Sequence, residues 1–134
     1  MFSSSGNDVS VPDKKRILII EDNAETQLIL KIYLRDFYEI HTASTAVEGL
    51  KKIRENKYNL IVLDINLPGE LNGNDVILNL KNDPEYRKIP ILVVTAYALK
   101  GDRENYLALG ADGYLAKPVE RMDILQSVKE LILS

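Results

Sequence analysis

With 134 residues, 46% apolar and 28% charged, the chain has the proportions of one ordinary globular domain, long enough to bury a proper core and too short for two. The absence of cysteine excludes a disulfide framework and any thiolate metal site, which makes a reducing cytoplasm the expected setting; no apolar run approaches the roughly 20 residues that cross a bilayer, and no signal-peptide hydrophobic segment opens the chain. A net charge of −3, with Lys14-Lys15-Arg16 as the longest basic run, argues against direct nucleic-acid binding, which needs a basic face, and a soluble protein without membrane attachment is expected.

Residues 1–14 open with Ser, Gly, Asn, Asp and Pro in no periodic order, the composition of a flexible tail or a linker, so the folded domain is expected over 15–134. Arg16 to Ile20 then reads as a buried strand ending in Glu21-Asp22. From Asn23 the apolar residues Leu28, Ile32 and Leu30, Leu34 recur at a spacing of four, which predicts a helix that buries one face and stops near Asp36. Tyr38 to Ala43 alternates like a short strand, and Ser44 or Thr45 can cap the helix that follows, Glu48 completing a capping box with Thr45; the buried stripe of that helix is Ala46, Leu50 and Ile53. His41, the only histidine, has no ligand-type neighbour in sequence and is assigned a structural role.

Leu60 to Asp64 reads as a third strand, a continuous apolar run that meets Asp64 at its tip and closes at Pro68-Gly69, the pattern of a strand covered on both faces. Val76, Ile77 and Leu80 mark a short helix that must end before Asp83-Pro84. Ile91 to Thr95 is a fourth strand, ending in a hydroxyl. Lys100 to Leu109 reads as a mostly polar, lightly anchored helix with Tyr106, Leu107 and Leu109 as its apolar members and Gly110 as its stop. Gly113 to Ala116 is a fifth strand running into Lys117-Pro118, and Arg121 to Leu133 a last helix burying Ile124, Leu125, Val128, Leu131 and Ile132.

Strands alternating with helices through short connections predict an α/β domain with a doubly wound, five-stranded parallel sheet and right-handed crossovers. Ligands of such sheets bind outside the carboxyl ends of the strands, where Glu21, Asp22, Asp64, Thr95 and Lys117 converge. Asp64 alone could equally cap the turn that follows it; the company at the other strand ends favours a site. Three crowded acids repel one another, so some are protonated or a cation neutralises them. The donors are all oxygens, which selects a hard cation such as Mg²⁺ or Ca²⁺ over zinc, and Mg²⁺ uses one or two carboxylates while leaving positions for waters and phosphate oxygens. A carboxylate beside Mg²⁺, a lysine suited to phosphate and a threonine hydroxyl amount to a phosphoryl site with a built-in nucleophile.

Glu21-Asp22, Asp64-Ile-Asn-Leu-Pro-Gly, Val94-Thr95-Ala96 and Gly110-Ala-Asp-Gly-Tyr-Leu-Ala-Lys117-Pro118 give the chain, from Lys15 to about Leu133, a resemblance to the receiver domains of two-component response regulators. The resemblance implies a flavodoxin-like, three-layer α/β/α fold with strand order 2-1-3-4-5. It implies that Asp64 accepts phosphate from a histidine kinase or a histidine phosphotransfer protein, that Mg²⁺ is held by Asp22, Asp64 and the Asn66 carbonyl with Glu21 assisting, and that Thr95 and Lys117 bind the phosphoryl oxygens. Tyr114 matches the aromatic switch position, the Lys117–Pro118 peptide is expected cis, and the only catalysis implied is of the chain's own phosphorylation and dephosphorylation. The signal is expected to leave through the fourth helix, fifth strand and fifth helix toward a protein partner or a further phosphotransfer step, from a monomer or a weak phosphorylation-dependent dimer. The run from Thr95 to Asp102 is most similar to hybrid-kinase and stand-alone relay receivers. The loop from Asp64 to Gly73 is one residue longer than the commonest spacing, and Glu21 stands where an aspartate is frequent, reaching the metal through water.

Three other readings fit less well. A flavin site wants a hydroxyl- and glycine-rich loop after the first strand, and Glu21-Asp22-Asn23 repels phosphate without a metal. A phosphatase acting on an external substrate wants a general acid about two residues past its nucleophile, and Asn66 cannot serve. A receiver that has lost phosphorylation would lack the acceptor, the acid pair or the lysine, and all are present. Asn66 and Tyr97 are expected to border the path of water to the phosphorus: the amide orients a water without taking its proton, and the bulky phenol excludes it.

Overall fold

The computed structural model describes residues 14–96 and 99–134. Strands β1 (Arg16–Ile20), β2 (Glu39–Ala43), β3 (Leu60–Leu63), β4 (Ile91–Thr95) and β5 (Gly113–Ala116) alternate with helices α1 (Ala24–Leu34), α2 (Ala46–Glu55), α3 (Gly73–Lys81), α4 (Asp102–Leu109) and α5 (Arg121–Leu133). The strands pair in parallel, the doubly wound sheet expected from the alternating pattern, in the order β2-β1-β3-β4-β5 that the resemblance implies.

Period-two alternation splits each central strand between two cores. Leu18 and Ile20, Ile61 and Leu63, and Ile91 and Val93 point to the side where α2 and α3 supply Leu50, Ile53, Val76, Ile77 and Leu80. Ile17 and Ile19, Leu60 and Val62, and Leu92 and Val94 point to the other, where α1 and α5 supply Leu30, Leu34, Ile124 and Val128. Because β1, β3 and β4 are covered on both faces, their sequences read as unbroken apolar runs.

Helix α1 differs from expectation in which of its two stripes is buried. Leu30 and Leu34 are in the core, whereas Leu28 and Ile32 are 55% and 44% exposed. Two positions along a helix turn the side chain by about 200°, so these equally spaced pairs occupy opposite faces and only one can meet the sheet. In α5, Leu125, Leu131 and Ile132 only lean on the core that Ile124 and Val128 enter. Helix α4 begins at Asp102 and not Lys100, because Gly101 takes a left-handed conformation (φ 91°) immediately before it. The capping box expected at α2 is half formed: Thr45 accepts from the Glu48 N–H, but the Glu48 carboxylate reaches past Thr45 to the Ser44 N–H at 2.7 Å. A complete box stands instead at α3, between Asn72 and Asp75. His41 bonds Tyr58 Oη at 2.7 Å and Glu39 at 2.8 Å, tying β2 to the segment that enters β3. Residues 1–13, Tyr97 and Ala98 lie outside the described residues.

The first residue of α3 controls how closely this helix approaches the tip of β3. A Cβ on Gly73 would lie 2.5 Å from the Ile65 Cα and 2.8 Å from the Asp64 carbonyl oxygen, both backbone atoms that cannot rotate aside. Gly73→Ala is therefore expected to destabilise the fold by about 1–3 kcal/mol, the usual cost of overpacking. Urea unfolding should show this as a lower midpoint at unchanged slope; an unaltered midpoint would mean the approach is not tight.

Candidate functional site at the carboxyl edge of the sheet

The chain leaves β1 for β2 on one side and continues through β3 on the other, so the carboxyl ends of β1 and β3 flank the point where strand order reverses. That crevice is where doubly wound sheets bind ligands. Three site residues are each held by a ladder bond one step past a strand end. The Glu21 N–H donates to the Ala43 carbonyl at 2.9 Å, the Asp64 N–H to the Ile20 carbonyl at 3.0 Å, and the Lys117 N–H to the Thr95 carbonyl at 2.9 Å. The Lys117–Pro118 peptide is cis.

The side chains so anchored converge. Carboxylate oxygens of Glu21, Asp22 and Asp64 all lie within 4.8 Å of one another. Lys117 Nζ bridges two of them, donating to Glu21 Oε1 at 2.6 Å and Asp64 Oδ2 at 3.2 Å. Asp64 Oδ1 accepts the Asn66 N–H at 3.1 Å, and Glu21 Oε2 accepts the Asn23 N–H at 3.1 Å. Glu21 and Asp64 are only 2% and 7% exposed, Thr95 is fully buried, and Asp22 stands open to solvent. This set fits Mg²⁺: oxygen donors only, an excess of negative charge, and an exposed side where water ligands can remain. Two clefts of about 710 and 830 Å³ lie elsewhere, against α2 and α3 and at the amino-terminal end of the sheet, and neither includes these residues.

The electrostatics follow from crowding. Burial pushes the Glu21 carboxyl above its usual range, and the charge of Asp64 adds to this, with Lys117 and the Asn23 N–H pulling in the opposite direction. For Lys117, burial opposes the charge, yet its hydrogen bond to Glu21 and the charges of Asp64 and Glu21 outweigh it and hold the ammonium above the ordinary lysine value. The amine therefore stays charged at neutral pH, where it offsets part of the carboxylate repulsion.

Tyr114 on β5 lies beside Tyr106 of α4, with ring centroids 5.9 Å apart and planes 20° from parallel. Burial raises both phenols above their usual range, and Asp102 adds to each. No residue of α4 is fully buried, so Tyr106, Leu107 and Leu109 are its hold on the core. Tyr97, expected at the water path, is one of the residues outside those described. The direct Glu21–Lys117 pair is absent from the sequence reading, which gave Glu21 a water-mediated metal contact and Lys117 the phosphoryl group. The available signal was the extra methylene of glutamate, which lets that carboxylate span the crevice.

Lys117→Met should leave Glu21 and Asp64 without their cation and cost about 2–3 kcal/mol in metal-free buffer at neutral pH, less than the roughly 3–5 kcal/mol of a fully buried broken pair because Lys117 is 19% exposed. A carboxyl whose folded pKa is raised binds protons more tightly in the folded state, so stability contributed through Glu21 rises as pH falls into the carboxylate range. The deficit of Lys117→Met is accordingly expected to shrink on acidification; denaturation at several pH values that finds a constant deficit would contradict this account.

Comparison with known proteins gives the site its context. The family model for the response regulator receiver domain matches residues 17–129. The polar-differentiation response regulator DivK of Brucella anthropi is 36% identical over 123 residues, covering 88% of this chain and 96% of DivK. The CheY-like receiver domain protein of Methanospirillum hungatei superposes with a TM-score of 0.81 at 34% identity, over 90% of this chain and 94% of that one. The receiver domain of the sensor histidine kinase PA1611 from Pseudomonas aeruginosa, solved with magnesium coordinated in its active-site cleft, superposes with a TM-score of 0.82 at 31% identity, over 90% and 99% of the two chains. With nearly the whole fold matched and an acidic cluster fit for magnesium at the switch point of the sheet, the chain belongs to the response regulator receiver domain family, the phosphoacceptor module of two-component signalling.

Proposed function

We propose that Asp64 is the phosphoacceptor and that Glu21, Asp22, Asp64 and Asn66 hold the Mg²⁺ that assists it. The observation that carries this reading is the position of the Asp64 carboxylate, between Lys117 at 3.2 Å and the acid pair and within reach of one cation together with both. An Asp64 oxygen attacks the phosphorus of a phosphohistidine on a histidine kinase or phosphotransfer protein. The O–P bond forms as the P–N bond breaks, and the imidazole leaves, taking a proton from solvent when it needs one. Bound Mg²⁺ would neutralise charge on the phosphoryl oxygens and orient them. Lys117 exchanges its contacts with Glu21 and Asp64 for a phosphoryl oxygen, and the Thr95 hydroxyl donates to another. The only catalysis is of the chain's own phosphorylation and dephosphorylation, in keeping with receiver domains as signalling modules in general. Asn66 and Tyr97 govern the access of water to the acyl phosphate.

In this reading residues 15–134 form the receiver unit, residues 1–14 are a tail or linker, and the protein works in the cytoplasm; among the described residues no helix is long and apolar enough to cross a membrane. The output face is α4, β5 and α5, with Thr95 and Tyr114 as the switch, presented to a downstream protein by a monomer or a weak phosphorylation-dependent dimer. The light anchoring of α4 supports this, since an element without buried residues rearranges at small cost.

Incubation with acetyl phosphate and Mg²⁺ should add the mass of one phosphate, and Asp64→Asn or chelation of Mg²⁺ should abolish the gain; stoichiometric labelling of Asp64→Asn would remove Asp64 from the role. Amide shifts on phosphorylation are expected to spread from the site into α4, β5 and α5. Shifts clustered on α1 instead would move the output face.

A further inference from the structure

Gln27, in the first turns of α1, places its side-chain Nε2 within hydrogen-bonding reach of three acceptors: the Glu21 carbonyl at 2.5 Å, the Ala43 carbonyl at 3.2 Å and the Ser44 hydroxyl at 3.3 Å. Carbonyl oxygens only accept, so the chemistry of the partners orients the amide: its NH₂ group and not its oxygen faces them, and two hydrogens are shared among three acceptors. The two carbonyls stand at the carboxyl ends of β1 and β2. The ladder between these strands makes its last bond from the Glu21 N–H to the Ala43 carbonyl, and the acidic turn departs from the sheet there.

The Glu21 carbonyl belongs to the peptide unit that joins Glu21 to Asp22. Because that unit is planar, holding the carbonyl fixes the direction in which Asp22 leaves it and hence the starting point of the Asp22 side chain. Two other bonds of the turn, the Asn23 N–H and the Lys117 ammonium to the Glu21 carboxylate, depend on where that carboxylate points and are lost if it swings toward a cation. The bond from Gln27 runs to the main chain and survives the swing. The geometry points to Gln27 as a positioning residue for the metal centre: its amide pins the Glu21–Asp22 peptide to the ends of β1 and β2, and so sets where the exposed Asp22 side chain starts relative to Asp64. This inference rests on the proposed Mg²⁺ site.

Calorimetric titration of the full chain with Mg²⁺ tests it, alongside amide exchange measured in metal-free buffer. Gln27→Met keeps the length of the side chain and its neutral charge but donates nothing; Gln27→Ala, a better helix former, repeats the measurement without a thioether. Both variants are expected to weaken Mg²⁺ binding about 5-fold, the factor that corresponds to one ordinary hydrogen bond, and to speed exchange of the Asn23 amide by a similar factor while β1 and β3 exchange as before. An unchanged Mg²⁺ dissociation constant in both variants, whatever happens to thermal stability, would overturn the positioning role and leave Gln27 a structural tie. Asp22→Asn separates the two levels of the argument. Loss of Mg²⁺ binding in Asp22→Asn upholds the metal site, so that the Gln27 variants alone decide the inference; native binding in Asp22→Asn would bring down the site and the inference together.

Discussion

Three carboxylates with oxygens inside 4.8 Å of one another repel unless positive charge stands among them, and much of the site is arranged around that requirement. Lys117 answers it by bridging Glu21 and Asp64. Such a bridge adds little net stability, since the charges lose their hydration, but removing the lysine leaves two buried anions exposed to each other. A bound divalent cation meets the same requirement more strongly. Ammonium and metal thus serve one electrostatic need, and on the proposed reading the arrival of metal and phosphoryl group releases Lys117 for a new partner.

The sheet supplies the rigidity that this crowding demands. β1 and β3 lie side by side with residues such as Ile17, Leu60 and Ile61 wholly buried, and the bond from the Asp64 N–H to the Ile20 carbonyl continues their pairing past the last strand residue. Repulsion among the acids therefore works against the two cores as a whole and not against a loop. Gly73 completes the fastening by letting the start of α3 lie against the backbone of Asp64 and Ile65, with its N–H bonded to the Ile65 carbonyl at 3.0 Å.

Stability is distributed unevenly about this centre. Helices α2 and α3 enter the core with buried aliphatic stripes, whereas α4, on the same face of the sheet, is held by half-buried Tyr106, Leu107 and Leu109 and by the stack of Tyr106 on Tyr114. Stacked aromatic pairs are worth about 0.5–1.5 kcal/mol beyond their buried area, a quantity that a single charge event nearby can offset. An element fastened that weakly opens at lower cost than the helices whose stripes enter the core.

The sequence by itself determined the strands, their parallel winding and the edge where Glu21, Asp22, Asp64, Thr95 and Lys117 meet. An apolar run that ends in a charge is a local signal, and the rule that puts ligands at the carboxyl ends of a doubly wound sheet needs only the order of elements. Three things were decided by the tertiary structure alone. Leu28 with Ile32 and Leu30 with Leu34 share one spacing, and only docking on the sheet chose the second pair for burial. Glu21 and Lys117 are 96 positions apart, and their 2.6 Å contact exists because β1, β3, β4 and β5 lie abreast at a spacing set by backbone hydrogen bonds. Gln27 reads in sequence as an ordinary helix residue; what its amide holds is a pair of carbonyls that only the pairing of β1 with β2 brings together, and local periodicity carries no information about distances across a sheet.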